Sequence, residues 1–247
     1  MKRKAFIKNT SLLSIGLVSI PSLAFSGFTS EYTREQLIGK GNPDITGDTY
    51  TSKMHRATAA ALKQMKLAAR SEGINIEVVS AYRSFQRQKE IYEGKYRKYT
   101  SDGDGPERAI ERIIEYSTIP GTSRHHWGTD LDLIDANAPQ PKNLLQAQNY
   151  HGKGPFCKLK EWLDKHAESF DFFEVYTDDH NRKGFSYEPW HLSYAPISIP
   201  MLQAYRQLDL KKVLQEEMIL GSEFFTDDFI SKYRKQHILD INPRLLS

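Results

Sequence analysis

Residues 123–133, SRHHWGTDLDL, hold two adjacent histidines, a glycine and two alternating aspartates. On a strand, residues two apart share a face, so Asp130 and Asp132 point the same way. His125 lies seven positions before Asp132, and Gly128 between them permits a sharp turn. A loop histidine and a strand aspartate can therefore converge on one point. Two ligands hold zinc poorly, and a catalytic site needs three protein ligands plus water. The tetrapeptide EPWH, residues 188–191, offers His191 as the third. Glu188, three residues earlier on an extended segment, can reach the same water. Each residue alone has a plainer reading: a lone histidine sits on the surface or satisfied in the core, and Asp130, Asp132 and Asp135 form a solvated acidic edge. His-x6-Asp combined with a distant Glu-x-x-His is a more specific pattern. His126 is not expected to be a ligand, because neighbours in an extended segment point apart.

The elements that would carry these residues are legible. Residues 54–70 are alanine-rich with apolar positions three and four apart, and Gly73 follows: a helix with a stop signal. INIEVVSAYR reads as a strand, and SFQRQKEIYEGKYRKY as a helix capped by Ser84. After a loop at 101–106 comes a short helix over 107–116. GTDLDLI alternates as a strand does, and residues 135–155 read as a long loop. A helix follows at 156–166, then strands FDFFEVY and EPWHLSY separated by the polar TDDHNRKG. From residue 199 onward the chain is helical in two pieces, broken around Gly221. Strands interleaved with helices give an α+β class.

The 247 residues carry a formal net charge of +3. Four of the 34 basic residues lie in the first 26 positions, which hold no acid, so the remainder carries 30 basic against 31 acidic residues. No basic patch is implied, and no nucleic-acid partner. Residues 1–26 combine a charged start, an apolar run and small residues before a cleavage point, the layout of an export signal. The run is too short and broken for a comfortable membrane span, so no stable membrane insertion is expected after its removal. Cys157, the one cysteine, excludes an internal disulfide and a cysteine-based metal cluster. The expected organisation is an export signal at 1–26, an irregular lead-in at 27–50, one catalytic domain at 51–198, and a helical extension at 199–247 packed on it.

Three blocks also carry a resemblance. SRHHWGTDLDL resembles the Ser-x-His-x-x-Gly-x-x-x-Asp signature of the zinc D-alanyl-D-alanine carboxypeptidases, the peptidase family that includes vancomycin-resistance carboxypeptidases and dipeptidases. YEPWH is similar to its Glu-x-x-His signature, and SAYRSFQRQ to its Tyr-Arg-Ser block with a following glutamine. The resemblance implies one Zn2+ held by His125, Asp132 and His191, with Glu188 as general base. It implies Arg83 beside the site, binding a substrate carbonyl or carboxylate. Ser123, Gln88, Tyr82 and Trp190 would line or frame the substrate cleft. The implied fold is a small central antiparallel sheet with flanking helices, shared with the Hedgehog domain. Two positions depart from the family: Asp130 replaces a frequent alanine, and Ser193 stands where an arginine commonly follows the last histidine.

The expected function is an exported zinc D,D-carboxypeptidase that trims peptidoglycan stem peptides in the cell envelope. An L,D-carboxypeptidase or endopeptidase could use the same metal site. A zinc-stabilised binding module without catalysis is the rival of another class, and Glu188 and Arg83 speak against it, since a structural ion needs neither. The oligomeric state is not legible.

Overall fold

The computed structural model describes residues 31–247. The export-signal reading at 1–26 lies outside them, as do the first residues of the lead-in. Among the described residues, no helix is long and apolar enough to cross a membrane.

The chain runs α1 (Arg34–Leu37), β1 (Ile45–Thr46), β2 (Met54–His55), α2 (Arg56–Ser71), β3 (Ile76–Ser80), α3 (Phe85–Ser101) and α4 (Pro106–Ile114). It continues through β4 (Asp130–Asp135), α5 (Cys157–His166), β5 (Phe172–Glu174), β6 (His191–Tyr194), α6 (Ala195–Tyr205), α7 (Leu210–Glu216) and α8 (Asp227–Tyr233). Four strands form an antiparallel sheet in the order β3-β4-β6-β5. The expected α+β class with a small antiparallel sheet is what the chain adopts.

Strand alternation explains how one sheet carries both a core and a site. Leu131, Leu133 and Leu192 turn to one face, where they are buried with Leu62, Met65 and Ala69 of α2 and Leu159, Trp162 and Leu163 of α5. Fully burying a leucine contributes about 1.5–3 kcal/mol, so this face anchors the sheet. Asp130, Asp132, His191 and Ser193 occupy the opposite face. Register puts them side by side: Asp132 pairs with His191, and Asp130 with Ser193. Cβ atoms of directly opposed residues lie about 4.5–5.5 Å apart, close enough for a shared ion.

The strands are shorter than the sequence implies. β3 ends at Ser80, and Ala81–Arg83 leave the sheet because their backbone bonds elsewhere: Arg83 N donates to His125 O at 3.0 Å, and Tyr82 N to Lys53 O at 2.8 Å. Glu188 and Trp190 precede β6 rather than lying in it. The segment after residue 195 forms three α-helices with breaks at 206–209 and around Gly221. Its apolar residues Met201, Leu202, Leu210, Val213, Leu214, Phe225, Tyr233 and Ile238 share a second core with Tyr92, Ile110, Ile113, Trp127 and Phe185.

Candidate metal centre and substrate cavity

A 3-10 turn, Arg124–Trp127, delivers His125 to the polar face of the sheet. The turn closes at Gly128, with φ +70°. A Cβ there would meet Ile45 Cδ1 at 2.4 Å and His55 N at 2.7 Å, so only glycine permits the chain to reverse so tightly into β4. The ligand atoms of His125, Asp132 and His191 then lie within 4.8 Å of one another, all three residues buried.

The hydrogen bonds decide which ring nitrogens face the centre. His125 Nδ1 lies 2.8 Å from Ala81 O, an oxygen that can only accept, so Nδ1 carries the proton and Nε2 is left toward Asp132 Oδ2 at 3.6 Å. His191 Nε2 lies 3.0 Å from Asp130 Oδ2, which leaves Nδ1 facing Asp132 Oδ1 at 3.8 Å and Glu188 Oε2 at 2.8 Å. Second-sphere carboxylates and carbonyls fix ligand histidines in this way. His126 is excluded as a ligand: Nε2 accepts from Gly121 N at 3.0 Å while Nδ1 donates to Arg83 O at 2.6 Å. Burial pushes its pKa down to about 4, so it stays neutral.

The electrostatics favour a cation. Burial, helped by the charges of Arg83 and His191, pushes His125 well below its ordinary pKa. Burial also lifts Asp132 to about 6. For His191 burial acts downward, but hydrogen bonds to Asp130 and Glu188 outweigh it and raise the imidazole to about 10. Asp132 Oδ1 is buried without a hydrogen-bond partner. Two imidazoles, a carboxylate with an unsatisfied oxygen and a surplus of acid around His191 make a donor set that zinc fits.

Asp130 belongs to a further buried cluster. Arg124 Nε donates to Asp130 Oδ2 at 2.7 Å, and Arg124 Nη2 to Ser193 Oγ at 2.8 Å. Ser193 Oγ donates to Asp130 Oδ1 at 2.6 Å, and Thr129 Oγ1 to the same oxygen at 2.9 Å. Burial works against ionising Asp130, yet Arg124 and His191 hold its carboxyl far below the usual range. An arginine therefore does reach Ser193, from position 124 rather than from β6. The departure from the family's frequent alanine flagged Asp130 as an outer partner or an alternative ligand without assigning its partner. Asp130→Asn should lower zinc affinity by about 10- to 100-fold, the usual cost of losing such an outer partner. Competition against a chromophoric chelator measures this, and unchanged affinity would remove Asp130 from the centre.

A cavity of about 270 Å³ opens on these three residues, lined also by Arg83, Ser123, Glu188 and Trp190. Two sequence expectations are corrected. Gln88 does not line the cavity; it is fully buried behind Arg83, accepting from Nη1 at 3.1 Å and donating to Thr118 O at 2.7 Å. Helix α3 starts one residue after the Ser84 cap, which turns Gln88 inward on its first full turn. Tyr82 also lies off the cavity, donating to Gly39 O at 3.2 Å in the lead-in. Tyr176, Phe185, Thr118 and Arg124 line the cavity without having been singled out as lining residues.

Residues 51–197 match the family described as VanY, D-alanyl-D-alanine carboxypeptidase. The chain belongs to that family. It is thus a hydrolase of the zinc carboxypeptidase class, and Zn2+ is the ion its His-Asp-His set fits. It is 29% identical over 151 residues to a D-alanyl-D-alanine carboxypeptidase of Enterococcus faecalis, which covers 61% of this chain and 51% of that protein. The chain thus spans about half the length of that relative. An uncharacterized protein of Haemophilus influenzae is 34% identical over 107 residues, 42% of this chain and 82% of its own. Among solved structures, VanYB in complex with D-alanine-D-alanine is 24% identical with a TM-score of 0.49, over 71% of this chain and 90% of that one.

Proposed function

We propose that the chain is an exported D,D-carboxypeptidase that removes the terminal D-alanine from peptidoglycan stem pentapeptides. One observation carries this reading within its family. Arg83 lines the same cavity as the three ligands and Glu188, yet it bonds only neutral partners, Ser80 Oγ at 3.2 Å and Gln88 Oε1. Arg124, the other arginine among the described residues that line the cavity, is neutralised by Asp130. Arg83 is therefore the cation left to meet a free substrate carboxylate, and its planar fork suits two parallel bonds.

When bound, zinc lowers the pKa of a coordinated water from about 15.7 towards about 7. Glu188 Oε2, 2.8 Å from His191 Nδ1, stands where it can take the proton of the attacking water. The same oxygen then returns that proton to the leaving D-alanine amine. Ala81 O and Asp130 engage the outer nitrogens of His125 and His191, which leaves His125 Nε2 and His191 Nδ1 as the nitrogens that would hold the ion. Ser123 and Trp190 line the path of the peptide.

The test compares one pentapeptide as free acid and as C-terminal amide. Losing a charge-assisted pair costs roughly 1.5–3 kcal/mol, so the amide should be cut about 10- to 100-fold more slowly. Mass spectrometry should show loss of one D-alanine. Equal rates, or cleavage within the stem, would make the enzyme an endopeptidase; release only from tetrapeptide stems would make it an L,D-carboxypeptidase.

A further inference from the structure

Four aromatic residues recur every fourth position late in the chain: Phe225, Phe229, Tyr233 and His237. Helical spacing puts them on one face, and their rings stack with centroids 5.2, 6.0 and 4.8 Å apart. The column continues into the site. His237 meets Phe185 edge-on at 5.0 Å, Phe185 meets Tyr176 at 5.3 Å, and Tyr176 meets His191 at 5.1 Å. Its first four members lie beyond residue 197, where the family match ends.

The same C-terminal segment holds both walls of the cavity. On one side Tyr233 Oη accepts from Ile119 N at 3.2 Å and bonds Thr122 Oγ1 at 2.9 Å, and Tyr205 Oη donates to Gly121 O at 2.7 Å. These bonds fix the stretch between Thr118 and Ser123, both of which line the cavity. On the other side stands the loop 175–190, which carries Tyr176, Phe185 and Glu188. Its tip, 178–181, is polar and exposed, so burial cannot order it. Asp179 Oδ1 accepts from Asn181 N at 2.9 Å and closes the tip locally, and Asp240 ties the loop that follows it to the C-terminal segment. Asp240 Oδ2 accepts from Lys183 N at 2.5 Å and Gly184 N at 2.9 Å, and Asp240 O accepts from Arg182 Nε at 3.1 Å. Arg182 in turn donates to Thr177 O and Phe185 O, closing the loop on itself. The backbones touch: a Cβ on Gly184 would lie 1.7 Å from Gln236 O. Asn242 N donates to Val175 O at 2.8 Å at the loop's base.

We propose that the C-terminal segment is the brace of the substrate cavity, with Asp240 as the positioning residue that fixes the loop carrying Phe185 and Glu188. A long loop without its own secondary structure is costly to order, and general-base catalysis needs Glu188 placed within hydrogen-bond reach. Its kinetic consequence rests on the carboxypeptidase reading; its structural content does not.

The experiment uses the zinc-loaded chain with Asp240→Ala and Asp240→Asn. Asn keeps an acceptor oxygen for the two loop N–H groups; Ala removes it. Hydrogen exchange read by mass spectrometry should quicken about 10-fold or more over 177–187 in Asp240→Ala, as local opening becomes easier. Asp240→Asn should remain close to the parent. On the pentapeptide, kcat should fall about 10- to 100-fold in Asp240→Ala, the scale of loss from a roughly 1 Å misplacement. Zinc content should stay at the parent level, and Asp240→Asn should restore the rate. Unchanged loop exchange in Asp240→Ala overturns the brace, as does a loosened loop with kcat and KM both intact. If the parent leaves the pentapeptide uncut, the carboxypeptidase reading falls, while the exchange measurement still upholds or overturns the brace.

Discussion

Glu188→Gln should keep its zinc and lose its turnover. Glu188 is not among the three converging ligand residues, and its side chain is 29% exposed toward the cavity, so replacing it leaves the metal's donor set whole. Glutamine matches its size and still hydrogen-bonds, but the amide cannot accept the proton of the attacking water. Losing a general base typically costs about 10²–10⁴-fold, and more where the same group also protonates the leaving amine. Zinc content by elemental analysis, measured beside kcat on the same preparation, separates the two roles. A variant with normal zinc and a near-normal rate would take Glu188 out of the mechanism and favour a binding module.

That prediction was open to a reader of the sequence, because Glu-x-x-His sets its residues by local spacing. Asp132 and His125 are legible for the same reason: seven residues, a glycine turn and strand alternation suffice to bring them together. Asp130 is different. Its partner is decided by sheet register, which opposes it to Ser193, and by Arg124 folding back across six residues of turn to reach both. The sequence showed an unfamiliar aspartate and a missing arginine as separate departures. The structure joins them into one buried ion pair behind His191.

Gln88 and Tyr82 failed for a related reason. Both were placed at the cleft by the resemblance of SAYRSFQRQ to the family's Tyr-Arg-Ser block, which gives their order in the chain and not the direction of their side chains. The Ser84 cap turns the chain into α3 between them, so Gln88 ends up under the guanidinium and Tyr82 against Gly39. Segment 199–247 was legible as helical and not as the support behind the walls of the cavity. Its heptad-like apolar positions are those of any core helix, and the bond that matters comes from Asp240 to two backbone N–H groups nearly sixty residues upstream. Contacts from a side chain to a distant backbone leave no pattern in the sequence of either partner.

His191→Ala should strip the metal. Its Nδ1 is one of three donors, and the two that remain, His125 Nε2 and Asp132, fall short of the three protein ligands a catalytic zinc needs. Zinc content should drop from about one per chain to a small fraction of that after dialysis. Turnover should fall by about 10³-fold or more, since the ion contributes several kcal/mol of transition-state stabilisation. The fold should survive. Asp130 keeps Arg124, Ser193 and Thr129 as partners, and Asp132, whose pKa burial already lifts to about 6, can take up a proton once His191 and the ion are gone. That separates this variant from a replacement of Arg124, which would strand Asp130 and destabilise the chain by about 3–5 kcal/mol. Circular dichroism and elemental analysis on one sample decide the matter. A folded His191→Ala with full zinc occupancy would mean that the ion sits elsewhere; with Asp130 only 3.0 Å from His191 Nε2, it would be the first alternative ligand to remove.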